Sequence, residues 1–361
     1  LLHYVRTNHR PSEQLKVVAG GPHPSGDPQD VLDMGADAIV IGKGERTFTQ
    51  LLQCWRVGGL ADNLSGLMPN TGRRNPRPVP IELDDYPPFS IRHGKLGPIE
   101  ISRGCPFACR FCQTPYLSGG KMRHRTTEAV ADTIRRALPH GYSYARFVTP
   151  NAFGYGSPDG KTVNLDAVEE LLAAVNRLLP RERIYFGSFP SEVRPETVSP
   201  EAVTLVRRYA GNDNLVFGAQ TGSPRLLAAL KRGHTVEDVY RATEITRQGG
   251  LRPIIDFMFG LPGETPEDVE LTVRAIQDLT DMGGIIHSHT FMPLPGTPFA
   301  RSKPGHMPTR FHSLLDKLAS EGKHFGRWRK QVAGGTHHTG SQNRHGKTQT
   351  HCCADTGGSR G

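Results

Sequence analysis

Three cysteines lie close together in the sequence, spaced Cys105-x-x-x-Cys109-x-x-Cys112 within the stretch ISRGCPFACRFC. Thiolates are the usual ligands of iron–sulfur clusters, and a cubane cluster normally takes four of them. Three thiolates hold three irons and leave the fourth open, much as catalytic zinc sites keep one position free. The spacing therefore predicts a [4Fe-4S] cluster whose open iron binds and activates a small molecule.

Two other interpretations of these cysteines are a partial zinc site and a group of buried thiols, because cysteine also packs as a small hydrophobic side chain. The neighbouring residues argue against burial. Gly104 and Pro106 flank the first cysteine, and Arg103 and Arg110 lie on either side of the motif's first half. A polar loop directly after an apolar strand favours the cluster.

The cysteine spacing after a short strand, with Phe111 directly before the last cysteine, resembles the signature of radical S-adenosylmethionine (SAM) enzymes. In that superfamily the open iron chelates the amino and carboxylate groups of SAM, and the reduced cluster splits the sulfonium to give a 5′-deoxyadenosyl radical. The resemblance implies Cys105, Cys109 and Cys112 as cluster ligands and Phe111 as a SAM contact. It also implies an electron donor such as ferredoxin or flavodoxin.

Strands and helices alternate from residue 98 onward, which predicts an α/β fold with a parallel sheet and right-handed crossovers. The expected strands are short and apolar: Pro98–Ser102, Ala145–Thr149, Arg183–Gly187, Asn214–Gly218, Ile254–Phe259 and Ile285–Thr290. The expected helices are Thr127–Leu138, Leu165–Leu179, Pro200–Tyr209, Val236–Gln248 and Pro266–Leu279. Six units predict a partial (β/α)6 barrel with its chemistry at the carboxyl ends of the strands, where the cysteine loop lies.

The segments after the later strands match further radical SAM motifs, and the resemblance covers about residues 80–300. It implies SAM-binding residues at four strand ends: Pro150 and Asn151 after the second strand, Ser188, Glu192 and Arg194 after the third, Gln220 and Thr221 in the Gln-Thr-Gly-Ser turn after the fourth, and Gly260, Pro262 and Gly263 in the Gly-Leu-Pro-Gly-Glu-Thr turn after the fifth. An arginine suits a carboxylate because its planar fork bonds bidentately. Helix capping and surface ion pairing are the alternatives at the third strand.

Residues 1–58 contain two further strand–helix units and predict the C-terminal half of a Rossmann-like domain. The expected elements are the strands Lys16–Ala19 and Ala38–Ile41 and the helices near Asp30–Met34 and Thr47–Trp55. The turns after the strands resemble the end of a cobalamin-binding domain. This implies Gly20, Gly21, Gly42 and Gly44 as positions where the backbone approaches the corrinoid, with cobalamin as a further cofactor.

The sequence lacks the Asp-x-His-x-x-Gly and Ser-x-Leu motifs of a full cobalamin-binding domain, which would lie upstream of Leu1 in a longer chain. A Rossmann nucleotide site is the alternative, but its G-x-G-x-x-G pattern is absent. After the partial front domain (1–58), we predict a linker at 59–97, a radical SAM core at 98–300, a helical extension at 301–330 and a disordered tail at 331–361, which has little to bury.

The composition indicates a cytoplasmic protein. Three of its six cysteines belong to the motif, so no disulfide framework is indicated. The sequence has no apolar run of about 18 residues and no signal-peptide pattern, so we expect no membrane insertion. The net charge of +9 suits an anionic partner. Because the basic residues are spread widely, a small-molecule substrate of unknown identity is favoured over nucleic acid.

Three functions compete. The first is a radical SAM enzyme that carries out a cobalamin-linked methylation or rearrangement. The second is a tRNA methylthiotransferase, which the Gln-Thr-Gly-Ser turn favours, but only Cys54 lies upstream where such an enzyme needs a second cysteine triplet. The third is a non-enzymatic redox sensor based on the cluster or on cobalamin. An electron carrier has no use for an open iron, which favours the enzymes.

Overall fold

The computed structural model describes residues 16–59, 61, 63–72, 75–76, 78–326 and 328–329, so the predicted tail lies outside the described residues. The strands are β1 (Val18–Gly20), β2 (Ala38–Val40), β3 (Leu67–Pro69), β4 (Ile99–Glu100), β5 (Ser102–Arg103), β6 (Arg123–His124), β7 (Ala145–Val148), β8 (Ile184–Tyr185), β9 (Asn214–Gln220), β10 (Arg252–Phe259), β11 (Ile285–Thr290) and β12 (His324–Gly326).

The α-helices connect these strands in the alternating order that the sequence predicts. They are α1 (Pro22–Gly26), α2 (Pro28–Asp33), α3 (Gly44–Arg56), α4 (Thr114–Ser118), α5 (Thr127–Ala137), α6 (Leu165–Asn176), α7 (Pro200–Tyr209), α8 (Pro224–Ala229), α9 (Val236–Gln248), α10 (Pro266–Asp281) and α11 (Thr309–Ser320). Among the described residues, no helix combines the length and the apolar character needed to cross a bilayer.

The main sheet is parallel and follows the chain order of a partial barrel. Strands β4, β7 and β8 form one ladder, and β9 to β12 form another. A parallel bridge between Val193 and Phe217 joins the two ladders, supported by a hydrogen bond from the Val216 amide to the Gly187 carbonyl (2.9 Å). The predicted α/β fold is confirmed: every expected strand is present, Ile285–Thr290 with the predicted bounds and the others with slightly different ends.

The core lies between the sheet and the helices on its outer face. Along β10, Ile255, Phe257 and Phe259 are fully buried in this layer, whereas Asp256 and Met258 alternate with them and are half-buried on the inner face. Because successive side chains of a strand point to opposite faces, Asp256 of β10 and His287 and His289 of β11 line the inside of the partial barrel.

The turn after the fifth barrel strand starts α10 with a capping box. The Thr265 hydroxyl accepts a hydrogen bond from the Asp268 amide, and the Asp268 carboxylate accepts one from the Thr265 amide. Asp268 also accepts a hydrogen bond from the Ser223 hydroxyl (2.5 Å) and pairs with Arg225. The capped helix therefore fixes the turn that follows β9.

Two short strands differ from what the sequence predicts. Strand β3 falls within the segment predicted as a linker (59–97) and pairs antiparallel with β2, so the front sheet has three strands. Strand β12 falls within the predicted helical extension (301–330), where it follows α11 and pairs parallel with β11. Each strand has only three residues, too few to show a periodic pattern.

Candidate functional site

The cysteine loop emerges from a two-stranded hairpin at the end of the first barrel strand. Strands β5 and β6 pair antiparallel, and the Cys105 amide donates a hydrogen bond to the Gly119 carbonyl (3.0 Å). Gly104 has φ +94°, and a Cβ there would lie 2.2 Å from the Lys121 carbonyl oxygen. Glycine is therefore required for the two sides of the hairpin to approach and for Cys105 to face the barrel mouth.

The three thiols are shielded to different degrees. Cys109 is buried, and Cys105 and Cys112 are partly buried. Burial raises the pKa of the Cys105 thiol, and the neighbouring Cys109 and Cys112 thiols raise it further. The sulfurs of the three cysteines are not all within 4.8 Å of one another, whereas one group of three potential metal ligands elsewhere among the described residues is that close together. The donor set therefore fits a multi-iron cluster better than a single zinc ion.

Arg232 lies beside the buried thiol and is a functional residue that we did not predict from the sequence. Its Nη1 is 3.8 Å from the Cys109 Sγ, and its Nη2 donates to the Gly218 carbonyl (3.1 Å). Its Nε is buried without a partner among the described residues. The sequence signal that could have identified it is its place in the run Lys-Arg-Gly-His-Thr (231–235), which follows α8. A cation here stabilises negative charge on the thiolate.

Arg194, a predicted SAM contact, packs against the cysteine loop. Its guanidinium lies 3.5 Å from the centre of the Phe107 ring, pairs with Glu196 and donates to the Arg232 carbonyl. Burial lowers the pKa of Arg194, and the positive charge of Arg232 lowers it further. These contacts engage the Nε and Nη2 of Arg194 and hold its guanidinium against the cysteine loop. Its contact with the SAM carboxylate stays a prediction.

The two predicted residues of the Gln-Thr-Gly-Ser turn have different surroundings: Gln220 is the last residue of β9, and Thr221 follows it. Gln220 is buried and has φ +71°, a left-handed conformation that is uncommon for a residue other than glycine. Such backbone strain often marks a functional site. The Thr221 hydroxyl instead lies 3.0 Å from the Thr272 hydroxyl and accepts a hydrogen bond from the Ser223 amide. Thr221 thus helps attach the turn to α10, and SAM binding stays a prediction for both residues.

The predicted residues after β7 and β8 lie in two different places. Those after β7 contact the backbone of the segment after β8, and two of those after β8 line the barrel interior. The Asn151 Oδ1 accepts from the Arg194 amide (3.2 Å), so Pro150 and Asn151 connect two strand ends. Ser188 and Glu192 line a cavity of about 600 Å³ inside the barrel. Burial raises the pKa of Glu192, with a further contribution from Asp256. The predicted SAM residues are therefore not gathered at one place.

The Gly-Leu-Pro-Gly-Glu-Thr turn packs closely against the segment that follows β11. A Cβ on Gly260 would lie 2.6 Å from the His306 amide nitrogen, which explains the glycine. Pro262 and Gly263 continue the turn, and the Gly260 amide donates to Glu264 (3.2 Å). Burial raises the pKa of Glu264 to about 7. These contacts give the turn a packing role, and SAM binding by its residues stays a prediction.

A second cavity, of about 670 Å³, lies between the front sheet and the cysteine hairpin. The four predicted cobalamin positions, Gly20, Gly21, Gly42 and Gly44, all line it. A Cβ on Gly21 would meet no atom within 4 Å, so this turn presents bare backbone to open space.

Lys43 and Arg103 are charged residues that line the front cavity. The Lys43 Nζ is buried without a partner among the described residues. Burial lowers the pKa of Lys43 to about 8, and the nearby charges of Arg103 and Arg123 lower it further. Arg103 links the two parts of the chain through ion pairs with Glu45 (2.6 Å) and Glu100 (2.5 Å). An unpartnered buried donor beside a glycine-lined wall fits a large polar cofactor.

A model of the Radical SAM superfamily matches residues 99–276. The chain belongs to the radical SAM superfamily. A model of the B12 binding domain matches residues 1–52, so this radical SAM protein is of the branch with a cobalamin-binding domain. Membership implies a [4Fe-4S] cluster and SAM as cofactors, and the match to the B12 binding domain makes cobalamin a candidate further cofactor. The cysteine loop and the front cavity contain the residues suited to hold these groups.

Similar proteins are known by sequence. An uncharacterized methyltransferase of Pyrococcus horikoshii is 26% identical over 285 residues, covering 74% of this radical SAM chain and 59% of the relative. A tRNA-2-methylthio-N(6)-dimethylallyladenosine synthase of Chromohalobacter salexigens is 32% identical over 231 residues, covering 61% of this chain and 48% of the relative. The chain spans about half to two thirds of the length of the curated relatives it matches.

Two solved structures share the fold. The radical SAM methyltransferase TsrM of Kitasatospora setae, with cobalamin and a [4Fe-4S] cluster bound, superposes with a TM-score of 0.62 at 22% identity and covers 80% of this chain and 59% of its own. The cobalamin-dependent SAM radical enzyme OxsB, with aqua-cobalamin and SAM bound, gives 0.58 at 16% identity and covers 72% and 38%. At these identities the likeness shows the fold alone.

Gly218 leaves room for the side chains of Gln220 and Arg232 beside the cysteine loop of this radical SAM protein. A Cβ on Gly218 would lie 2.2 Å from the Gln220 Nε2 and 3.0 Å from the Arg232 Nη2. We expect Gly218→Ala to destabilise the fold by ~1–3 kcal/mol through overpacking and to move Arg232 away from Cys109. Thermal unfolding and the electron paramagnetic resonance signal of the reduced cluster measure both effects.

Gly97→Ala is the matched control for this substitution, because a Cβ at Gly97 meets no atom within 4 Å. If Gly218→Ala leaves both the melting temperature and the cluster signal as in Gly97→Ala, the close approach at Gly218 does not position Arg232.

Proposed function

We propose that this chain is part of a cobalamin-dependent radical SAM enzyme that methylates or rearranges a small-molecule substrate. The observation that carries the proposal is the location of the glycine-lined front cavity. This cavity also reaches Leu117 and Ser118 of α4, the helix directly after Cys112. A cofactor in the cavity would therefore lie next to the loop that carries the cluster cysteines.

The residues of the cysteine loop fit a [4Fe-4S] cluster. Cys105, Cys109 and Cys112 would hold it, and when bound the cluster supplies the electron that cleaves the SAM sulfonium. Arg232 places a positive charge beside Cys109. The Gln113 Nε2 donates to the Pro295 carbonyl (2.7 Å), which fixes the loop against the segment after β11. These contacts hold the thiols at the barrel mouth before any cofactor binds.

The front cavity suits the polar periphery of a corrinoid. Gly20, Gly21, Gly42 and Gly44 permit close approach of the backbone, because no side chain intervenes. The Lys43 Nζ and the Glu45 Oε2 are buried without partners among the described residues and belong to side chains of the same wall. One can donate and the other can accept a hydrogen bond, so both can bond the amide groups of such a cofactor.

The inner face of the barrel provides space for a substrate. A cavity of about 500 Å³ is lined by Cys112, Met258 and His289, and the deeper cavity of about 600 Å³ is lined by Glu192 and His287. These volumes are in the usual range for small-molecule sites. A small molecule bound here would lie between the cysteine loop and the polar side chains of the barrel interior, such as Glu192 and His287.

The test is anaerobic reconstitution of the cluster, followed by addition of SAM and dithionite, or of a ferredoxin or flavodoxin as electron donor. We expect the chain to form 5′-deoxyadenosine and to retain cobalamin through gel filtration. A chain that assembles the cluster but forms no 5′-deoxyadenosine contradicts the enzymatic proposal and favours a redox sensor.

Gly44→Trp separates the two cofactors. The indole would occupy part of the front cavity, so we expect this variant to lose cobalamin while it still assembles the cluster and cleaves SAM. Gly97→Trp, which lies outside the lining of that cavity, is the control. If Gly44→Trp retains as much cobalamin as the control, the front cavity is not the corrinoid site.

A tRNA methylthiotransferase is the second candidate, because several curated relatives with this activity are 31–32% identical to the chain. The match of residues 1–52 to the B12 binding domain favours the first candidate. Incubation of the reconstituted chain with unmodified tRNA and SAM distinguishes them. Formation of a methylthio-nucleoside would establish the second candidate, and its absence alongside 5′-deoxyadenosine formation supports the first.

A further inference from the structure

We propose that Asp256, His287 and His289 form a binding site for a single divalent transition-metal ion, separate from the cluster cysteines. One potential ligand atom from each side chain lies within 4.8 Å of the others. Metal–ligand distances of about 2.0–2.2 Å place two ligands of one ion at most ~4.4 Å apart. The three side chains therefore need only small movements to bind the same ion.

Strand pairing explains why these residues meet. Asp256 of β10 and His287 of β11 are direct neighbours in the parallel register. His289 lies two residues further along β11, so it points to the same inner face of the barrel. Two adjacent strands of the sheet thus present three ligands from rigid backbone, which is a better support for a metal site than a flexible loop.

The two histidines are held in place by ring contacts. The His287 ring stacks on Phe325 of β12 with 4.4 Å between ring centres and 15° between the planes. The His289 ring meets the His287 ring edge-on at 4.2 Å. The His287 Nδ1 and the Asp256 Oδ1 form a hydrogen bond of 2.8 Å, which an ion bound by both atoms would replace. The rings are oriented before an ion binds.

The charge around the three residues favours a cation. Among the described residues, no lysine or arginine lies within 4.0 Å of the Asp256 carboxylate, whose hydrogen-bond partner is His287. Glu192 is a second carboxyl group close enough for Asp256 to raise its pKa, after the larger effect of burial. Arg146, in the same cavity, is instead stacked on Tyr185 and bonded to the Phe189 carbonyl. A divalent ion would balance the uncompensated carboxylate.

The ligand types indicate which metals would bind. Two imidazoles and one carboxylate suit zinc or ferrous iron and leave coordination positions open. His287 lines the cavity of about 600 Å³, and His289 lines the cavity of about 500 Å³ that reaches Cys112. The three residues therefore lie between these two cavities. An ion here can bind an oxygen or nitrogen donor of a molecule in either cavity. Metal binding itself is independent of the proposed function.

Zinc is the probe for this site. The cluster-loaded chain of 361 residues is dialysed anaerobically against micromolar Zn²⁺, and bound zinc is measured by mass spectrometry. We expect the unaltered chain to bind one zinc ion more per chain than Asp256→Asn or His289→Gln. His324→Gln is the matched control, because His324 lies on the neighbouring strand and bonds Ser288. The histidine-rich residues 331–361 are present in every variant and cancel in the difference.

Equal zinc content in all four chains would overturn the proposal. Circular dichroism and melting temperatures establish that each variant is folded. X-ray absorption at one bound zinc per unaltered chain gives a second result that needs no variant. Imidazole and oxygen ligation without sulfur supports the site, whereas sulfur ligation places the ion at a cysteine and overturns it. No step of these measurements uses SAM, so their failure would leave the proposed function unaffected.

Discussion

Replacement of Cys109 by serine is expected to lower the rate of 5′-deoxyadenosine formation by more than ~100-fold, since even changes outside the ligand shell typically cost 10- to 100-fold at metal sites. Cys109 is the buried thiol of the three, and Arg232 lies beside it. A serine hydroxyl at this position leaves an iron without a thiolate and the Arg232 cation without its partner. The product is measured by liquid chromatography after anaerobic incubation with SAM and dithionite.

Cys54→Ser is the matched control for Cys109→Ser. Cys54 is also a partly shielded free thiol, but it packs in the front domain against the group that contains Leu51 and Leu67. We expect it to keep the cluster and the cleavage activity. If Cys109→Ser retains more than about a tenth of the activity of Cys54→Ser, the cysteine triplet is not the cluster site and the proposed function is wrong.

Replacement of Arg232 by methionine is expected to have the second large effect. It tests whether the positive charge of Arg232 stabilises the reduced cluster, without changing a cluster ligand. The arginine Nη1 lies 3.8 Å from the Cys109 Sγ. Reduction adds a negative charge to the cluster, which a nearby cation stabilises. Removing the cation should make the midpoint potential more negative and slow SAM cleavage by ~10- to 100-fold. A redox titration followed by electron paramagnetic resonance measures the potential directly.

Two further variants give this experiment its controls. Arg232→Lys keeps the charge but loses the planar fork that also bonds the Gly218 carbonyl, so we expect it to recover part of the potential. Arg241→Met removes an exposed arginine that pairs with Asp238 on α9, and it should leave the potential unchanged. A potential in Arg232→Met equal to that of Arg241→Met would show that the guanidinium does not act on the cluster.

The features that were predictable from the sequence are those encoded over short distances in the chain. The cysteine triplet spans eight residues, and the capping box of α10 spans four, so each can be read directly. The helices Pro200–Tyr209 and Val236–Gln248 have the predicted bounds because Ser199 and Thr235 cap their first turns. Apolar strands between such helices were sufficient to predict the parallel order.

The features that were not predictable depend on register and on contacts between distant residues. Arg232 reaches Cys109 across 123 positions of sequence. Asp256 meets His287 only because β10 and β11 pair in one particular register, which a short apolar strand does not specify. Thr221 looked available to SAM, but its hydroxyl meets Thr272 of a helix that follows the next strand. Motifs locate residues near a site without showing which atoms are already bonded.

The amide of Gln113 has a mechanical consequence. Its Nε2 is 2.7 Å from the Pro295 carbonyl and 3.4 Å from the Pro22 carbonyl, so one side chain touches the cysteine loop, the last barrel turn and the front domain. At the same junction the Gly26 backbone packs so tightly on Pro295 that a Cβ would lie 2.4 Å from its carbonyl oxygen. Hydrogen bonds and close backbone packing thus hold the three segments together at one point. Because the front domain and the cysteine loop contact the same barrel turn, we expect a displacement of one of them to move the other.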